Sequence, residues 1–153
     1  MKIAEATEKD MLNVGKLFRE YQEWLGIDLC FQGFEEELAT LPGSYASPKG
    51  VILVAIEDRE VVGCVGIRPI MENEAELKRL FVKPGYQGHG IGKRLFHTAM
   101  SKAKRFGYTS IVLDTLPTMQ TAKLLYVAYG FKKISAYYRN PKEGVEYYRY
   151  VFS

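Results

Sequence analysis

The sequence predicts a mixed α/β (α+β) domain, a central sheet of about seven strands flanked by about four helices. Three observations predict it. Apolar, β-branched runs recur at 51–57, 60–70, 77–82 and 109–114 between turn signals. Apolar residues recur at helical spacing over 8–25 and 90–106. The resulting order, β-α-α-β-β-β-α-β-α-β-β, contains no repeat, low-complexity tract or linker, so residues 1–153 read as one domain.

Lys2 to Ala6 is a short strand. Thr7-Glu8-Lys9-Asp10 resembles a capping box with Asp in place of Glu. Met11, Val14, Leu17, Phe18, Tyr21 and Leu25 then follow helical spacing, and Gly26 ends the helix. After a loop to Gly33, a short helix spans Phe34 to Leu41 and stops at Pro42-Gly43; the Pro, Gly and Ser of 42–50 read as a surface connection. Val51–Glu57 and Glu60–Ile70 form a hairpin around Asp58-Arg59, and a turn near Asn73 leads to a strand at Leu77–Val82. Ile91, Leu95, Ala99 and Ala103 place a helix from Gly90 to Phe106, with Gly107 following its end. Thr109–Asp114 is a buried strand, Thr118–Tyr129 a helix ended by Gly130. Lys132–Tyr138 and Val145–Phe152 are strands joined by the turn-rich 140–144 loop.

Bulk properties exclude several classes. The 47% hydrophobic content supports a core, and no apolar run approaches the roughly 20 residues of a membrane span. The N-terminus has no signal-peptide pattern. Cys30 and Cys64 do not make a disulfide framework and read as free thiols in a reducing, cytoplasmic setting. No spacing of His and Cys suggests a metal. The net charge of +3 divides unevenly, with −6 over 1–60 (6 Lys/Arg, 12 Asp/Glu) and +9 over 61–153 (15 Lys/Arg, 6 Asp/Glu). The basic part suits a polyphosphate ligand and the acidic part a cationic second substrate. A nucleic-acid partner has no aromatic–basic strip to support it.

The stretch Glu76 to Gly92 organises the chain. A strand feeds a break at Pro84-Gly85, a glycine-rich loop and a helix start. Unpaired N–H groups and the helix dipole make such a start an anion site, and glycines permit close approach. A dinucleotide fingerprint from Gly88 requires glycine where Lys93 stands. A P-loop requires glycine at Gln87 and Ser or Thr at Arg94. Gln87-Gly88-His89-Gly90-Ile91-Gly92 instead matches Q/R-x-x-G-x-G/A, and Ala122 to Phe131 matches A-x-x-L-Y-x-x-x-G-F. On these motifs the chain resembles the GNAT N-acetyltransferases, and its element order resembles their fold over nearly its whole length.

The resemblance implies a mixed, mostly antiparallel sheet and acetyl-CoA as co-substrate, without a metal. Gln87, Gly88, His89, Gly90, Ile91, Gly92 and Lys93 would hold the pyrophosphate, with His89 a solvent-facing loop residue. The main chain at Leu80, Phe81 and Val82 would hold the pantetheine arm, with an N–H near Val82 taking the thioester oxygen. Glu76 would remove the amine proton directly or through water; the alternative is a Glu paired with Lys78 or Arg79. Glu74 and the Glu35-Glu36-Glu37 run are lesser alternatives. Tyr126 matches the tyrosine that protonates the leaving sulfur; its phenol, with an ordinary pKa near 10, is protonated at neutral pH. The family often carries Asn where Met119 stands, so that cofactor contact would fall to Thr118 or to backbone groups, without affecting the pyrophosphate site.

Tyr21, Trp24, Phe31, Gln32 and Phe34 are candidates for lining the acceptor pocket, though each also suits core packing. The tyrosines of the C-terminal hairpin suit either that pocket or a homodimer interface. The expected activity is acetyl transfer to a primary amine of a small molecule, directly in a ternary complex, since neither cysteine is placed for an acyl-enzyme. Transfer to a protein lysine or N-terminus, or acetyl-CoA sensing without turnover, are the alternatives.

Overall fold

The computed structural model describes residues 1–153, except the side chain of Phe31. Its elements are β1 (Lys2–Glu5), α1 (Met11–Leu25), α2 (Phe34–Ala39), β2 (Val51–Glu57), β3 (Glu60–Met71), β4 (Glu74–Val82), α3 (Ile91–Arg105), β5 (Ser110–Thr115), α4 (Gln120–Tyr129), β6 (Lys132–Ile134) and β7 (Glu146–Val151). The strands form one sheet in the order β1-β2-β3-β4-β5-β7-β6. Every neighbouring pair is antiparallel except β4 and β5. The expected fold class is therefore found.

Helices cover both faces, which is why β2 reads as a continuous apolar run rather than an alternating one. On one face Leu53, Ile67, Leu77 and Leu113 meet Leu95, Phe96 and Ala99 of α3. On the other, Ile52, Val54, Cys64 and Phe81 meet Val14, Leu17 and Phe18 of α1 and Phe34 of α2. Burying each large side chain contributes about 1.5–3 kcal/mol. α1 begins after Asp10, whose carboxylate accepts the Thr7 N–H at 2.7 Å, and ends at Gly26 with φ 72°.

Two departures position the site. The expected strand to Tyr138 stops at Ile134, because Tyr137 and Tyr138 leave the sheet to reach carboxylates on β4 and β5. Within β4 there is a bulge. Cys64 pairs with Phe81 and Gly66 with Lys78, so Val65 alone on β3 faces Arg79 and Leu80 together. Arg79 takes a left-handed backbone, φ 60°, uncommon for a non-glycine residue. β4 pairs with β5 only from Glu74 to Glu76; beyond that point the strands part while β5 continues along β7 to Thr115.

Candidate active site

The parting of β4 and β5 opens a cleft in the middle of the sheet. Tyr21, Leu77, Lys78, Arg79, Leu80, Asp114, Met119 and Tyr126 line it. The strand edges around it carry main-chain groups that β4 and β5 do not share with each other. Lys83 N–H donates to Val62 O at 2.9 Å, toward β3. Successive residues in a strand direct their polar groups to opposite edges, so Val82 N–H points toward the opening. Val82 O is taken by the Gln87 side-chain amide at 2.8 Å, which ties the glycine-rich loop to the end of β4.

That loop turns at Gly88 and Gly90, with φ 85° and 81°, and α3 begins at Ile91. The first N–H groups of α3 have no partner within the helix and face the loop side. His89, Lys93 and Arg94 are exposed around it. The arrangement is an anion cradle at the mouth of the cleft.

Tyr126 stands in α4, 2% exposed, its ring against Phe96 and Phe131. Burial first, then the negative potentials of Tyr21 and Asp114, push its hydroxyl well above the ordinary phenol value. Tyr21 is raised likewise, chiefly by burial. No side-chain polar atom is both fully buried and unpartnered among the described residues. Tyr126 Oη and Lys78 Nζ make no hydrogen bond there, so both open onto the cleft.

Glu76 lies within β4 and not at its start. It is 2% exposed and directly opposite Arg68 of β3. Arg68 donates to Glu76 Oε1 from Nε at 2.9 Å and lies 2.8 Å from it through a terminal nitrogen. Tyr137 donates to Oε2 at 2.5 Å, and Lys78 Nζ is 3.7 Å from the same oxygen. Asp114, on β5, accepts the Tyr138 hydroxyl. Tyr138 Oη in turn accepts from Asn140 at 3.0 Å and Gln32 at 3.3 Å. Burial first, and then these neighbouring carboxylates, raise both tyrosine hydroxyls. The two tyrosines thus roof the cleft on the side of α1 and α2.

The other sequence-predicted residues divide. Tyr21 lines the cleft and Gln32 sits at its roof, bonded to Arg79 as well as Tyr138. Trp24 is 47% exposed and rests on Phe81 at 5.6 Å, outside the cleft lining. Phe34 is core and lies under the Arg79 guanidinium at 5.2 Å. The Phe31 side chain is outside the described residues. Of the alternative carboxylates, Glu74 is held by Arg149 and Ser110, Glu35 by Arg19 and Glu37 by Arg79. Much of the acidic N-terminal portion is thereby matched internally, with Glu5 on Lys102 and Glu60 on Lys83 besides.

No motif in the sequence marks Lys78, Arg68 or Asp114 as a site residue. Arg68 becomes visible once β3 and β4 are set in register, and Asp114 once β5 is known to leave β4. For Lys78 and Arg79, the bulge places two consecutive side chains on one face, which strand alternation alone forbids.

The family model for the acetyltransferase (GNAT) family matches residues 16–131. An uncharacterized N-acetyltransferase of Schizosaccharomyces pombe is 37% identical over 95% of this chain and 90% of its own length. Another, of Dictyostelium discoideum, is 33% identical over 92% of this chain and 93% of its own. The crystal structure of the PaiA N-acetyltransferase of Thermoplasma acidophilum in complex with coenzyme A superposes with a TM-score of 0.74. It is 22% identical and covers 99% of this chain and 98% of its own.

Proposed function

Because the chain belongs to the acetyltransferase (GNAT) family, we propose that it transfers the acetyl group of acetyl-CoA to a primary amine of a small molecule, directly in a ternary complex. The observation that carries this reading is the cleft between β4 and β5, with an anion cradle at one end and the unpartnered Tyr126 hydroxyl inside it. The pantetheine arm runs between the strands and bonds main-chain groups of Leu80 and the Val82 N–H, much as an added strand would. Phe81, expected from the sequence to join them, instead directs its main-chain groups to Cys64 of β3. The diphosphate rests on the N–H groups from Gln87 to Lys93.

Each chemical step has a group. Val82 N–H receives the thioester oxygen as charge develops; one such donor is worth on the order of 3 kcal/mol. Glu76 draws the proton from the amine. Its carboxylate is engaged by Arg68 and Tyr137, so its surroundings favour a route through water. Tyr126 gives its proton to the departing sulfur, and its raised pKa keeps that proton in place until the thiolate forms. The acceptor enters under Tyr137 and Tyr138, between Tyr21 and Gln32. The free thiols of Cys30 and Cys64 support a reducing, cytoplasmic setting.

Thermal unfolding with acetyl-CoA, NADH and ATP tests the donor. Acetyl-CoA at about 100 times its Kd stabilises by about 2.7 kcal/mol, and the controls do not. An amine panel read by CoA release then tests the acceptor. Release only with protein or peptide amines would overturn the small-molecule reading, and binding without release across both classes would overturn transfer.

A further inference from the structure

The cations in and beside the cleft are not equivalent. Arg68 is spent on Glu76, and Arg79 on Glu37 and Gln32. Lys78 is 7% exposed and makes no hydrogen bond among the described residues; it forms an ion pair with Glu76 Oε2 at 3.7 Å, an oxygen already occupied by Tyr137. Its stem lies beside the Tyr138 ring, with Nζ 5.7 Å from the ring centre. Lys78, Leu80 and Tyr126 border the same narrow cleft. A thioester held between Leu80 and Tyr126 is therefore also bounded by a primary amine of the protein itself.

We infer that Lys78 is an internal acetyl acceptor, modified by acetyl-CoA bound in its own cleft when no acceptor amine is present. The inference rests on the donor site proposed above. In the step, the Nζ lone pair attacks the thioester carbonyl carbon. The N–C bond forms and the C–S bond breaks. The sulfur leaves as thiolate and takes up a proton, either directly from the attacking nitrogen or from Tyr126, whose hydroxyl is then restored by the proton the nitrogen loses. The products are N-acetyl-Lys78 and free CoA; where Lys78 begins as ammonium, one further proton passes to solvent.

Two features favour the step. Burial lowers the Lys78 pKa, against the opposing pull of Glu76, which enlarges its share of nucleophilic amine. The side chain is 6% exposed, so reagent from bulk solvent reaches it poorly and a bound donor reaches it directly. The product amide does not pass its acetyl group on. Modification removes the cation from the acceptor side and halts an enzyme that holds donor without acceptor.

The test uses the purified full-length chain, acetyl-CoA with an isotopically heavy acetyl group and no added amine. Intact mass and peptide mapping follow the label, and thermal unfolding follows binding in the same samples. The expected result is one heavy acetyl group per chain, mapped to Lys78. Its rate saturates with acetyl-CoA, falls with added CoA and is abolished by heat denaturation. Lys78→Arg and Lys78→Gln lose that label, while the map of the unsubstituted chain stands even where either variant folds poorly. Label spread over exposed lysines, rising linearly with acetyl-CoA and surviving denaturation, overturns the inference. A melting shift with no label at Lys78 overturns it and leaves the donor site standing. Neither shift nor label removes the donor site and the inference with it.

Discussion

Arg79, which borders the cleft, is fixed in place by Glu37. The Arg79 guanidinium donates from Nε and a terminal nitrogen to both oxygens of Glu37, each at 3.0 Å, while its backbone sits at φ 60°. Both side chains are nearly buried, 2% and 10% exposed. A left-handed residue with a Cβ costs roughly 1–2 kcal/mol, and this pair over-determines it. Glu37→Ala leaves a buried guanidinium with only Gln32, and the expected loss is about 3–5 kcal/mol, measured by urea unfolding. Arg79→Ala and Arg79→Gly both lose the pair, but glycine relieves the backbone. The Gly variant is expected to be the more stable by about 1 kcal/mol. Equal stability of the two would show that the bulge carries no strain.

Tyr126→Phe removes a hydroxyl that makes no hydrogen bond among the described residues, so folding changes little. As general acid it contributes about 10²–10⁴ in rate. The expected outcome is a fall in kcat of that order with the KM for acetyl-CoA nearly kept, read by steady-state release of CoA. Because its pKa is raised by burial, kcat in the parent enzyme shows no downward limb from this group below the ordinary phenol value of about 10. A variant with unchanged kcat would exclude the role.

Two glycines in one motif are expected to respond differently. Gly90 has φ 81° and open space around the position of a Cβ; Gly92 lies outside the left-handed region, and a Cβ there meets Val82 Cγ2 at 3.6 Å, an ordinary contact. Gly90→Ala is therefore strained by its backbone, at a cost of roughly 1–2 kcal/mol, and it disturbs the turn that presents the first N–H groups of α3. Gly92→Ala is expected to be close to silent in stability. Calorimetric titration with acetyl-CoA should show weakened binding for Gly90→Ala and near-parent binding for Gly92→Ala.

These contrasts show what the sequence made legible. Periodicity and turn residues place the strands and helices because they report burial along one element at a time. The loop from Gln87 to Gly92 is local chemistry, and it lies where the spacing sets it. Tyr126 follows from its distance to Gly130-Phe131. The bulge at Arg79 is different, since neither glycine nor asparagine marks it; the carboxylate that pairs with its side chain is Glu37, distant in sequence and brought close by α2. Glu76 likewise gains its partners from β3 and from the loop after β6. The strand expected to reach Tyr138 failed for the same reason. Its aromatic run has strand character, but hydrogen bonds to Glu76 and Asp114 draw Tyr137 and Tyr138 out of the sheet.

Glu146 provides a pH test away from the cleft. Hydrogen bonds from Lys123 first, then Lys133, outweigh the opposing effect of desolvation and, with a lesser one from Tyr148, hold its pKa down to about 2. The distances are 2.6 Å to Lys123 and 2.8 Å to Lys133. A carboxylate depressed in the folded state binds fewer protons there than when unfolded, where its value is about 4.3. Its contribution to stability is therefore complete above that unfolded value and is lost as pH falls toward about 2. The three side chains join α4, β6 and β7, so the effect bears on the end of the sheet behind Tyr126. Glu146→Gln should lower the urea midpoint at neutral pH, and the difference from the parent should shrink as pH falls through this window. The difference should also diminish in high salt, because the pairs are solvent-accessible. A deficit that stays constant from neutral pH down to pH about 2 would assign the loss to packing instead of to charge.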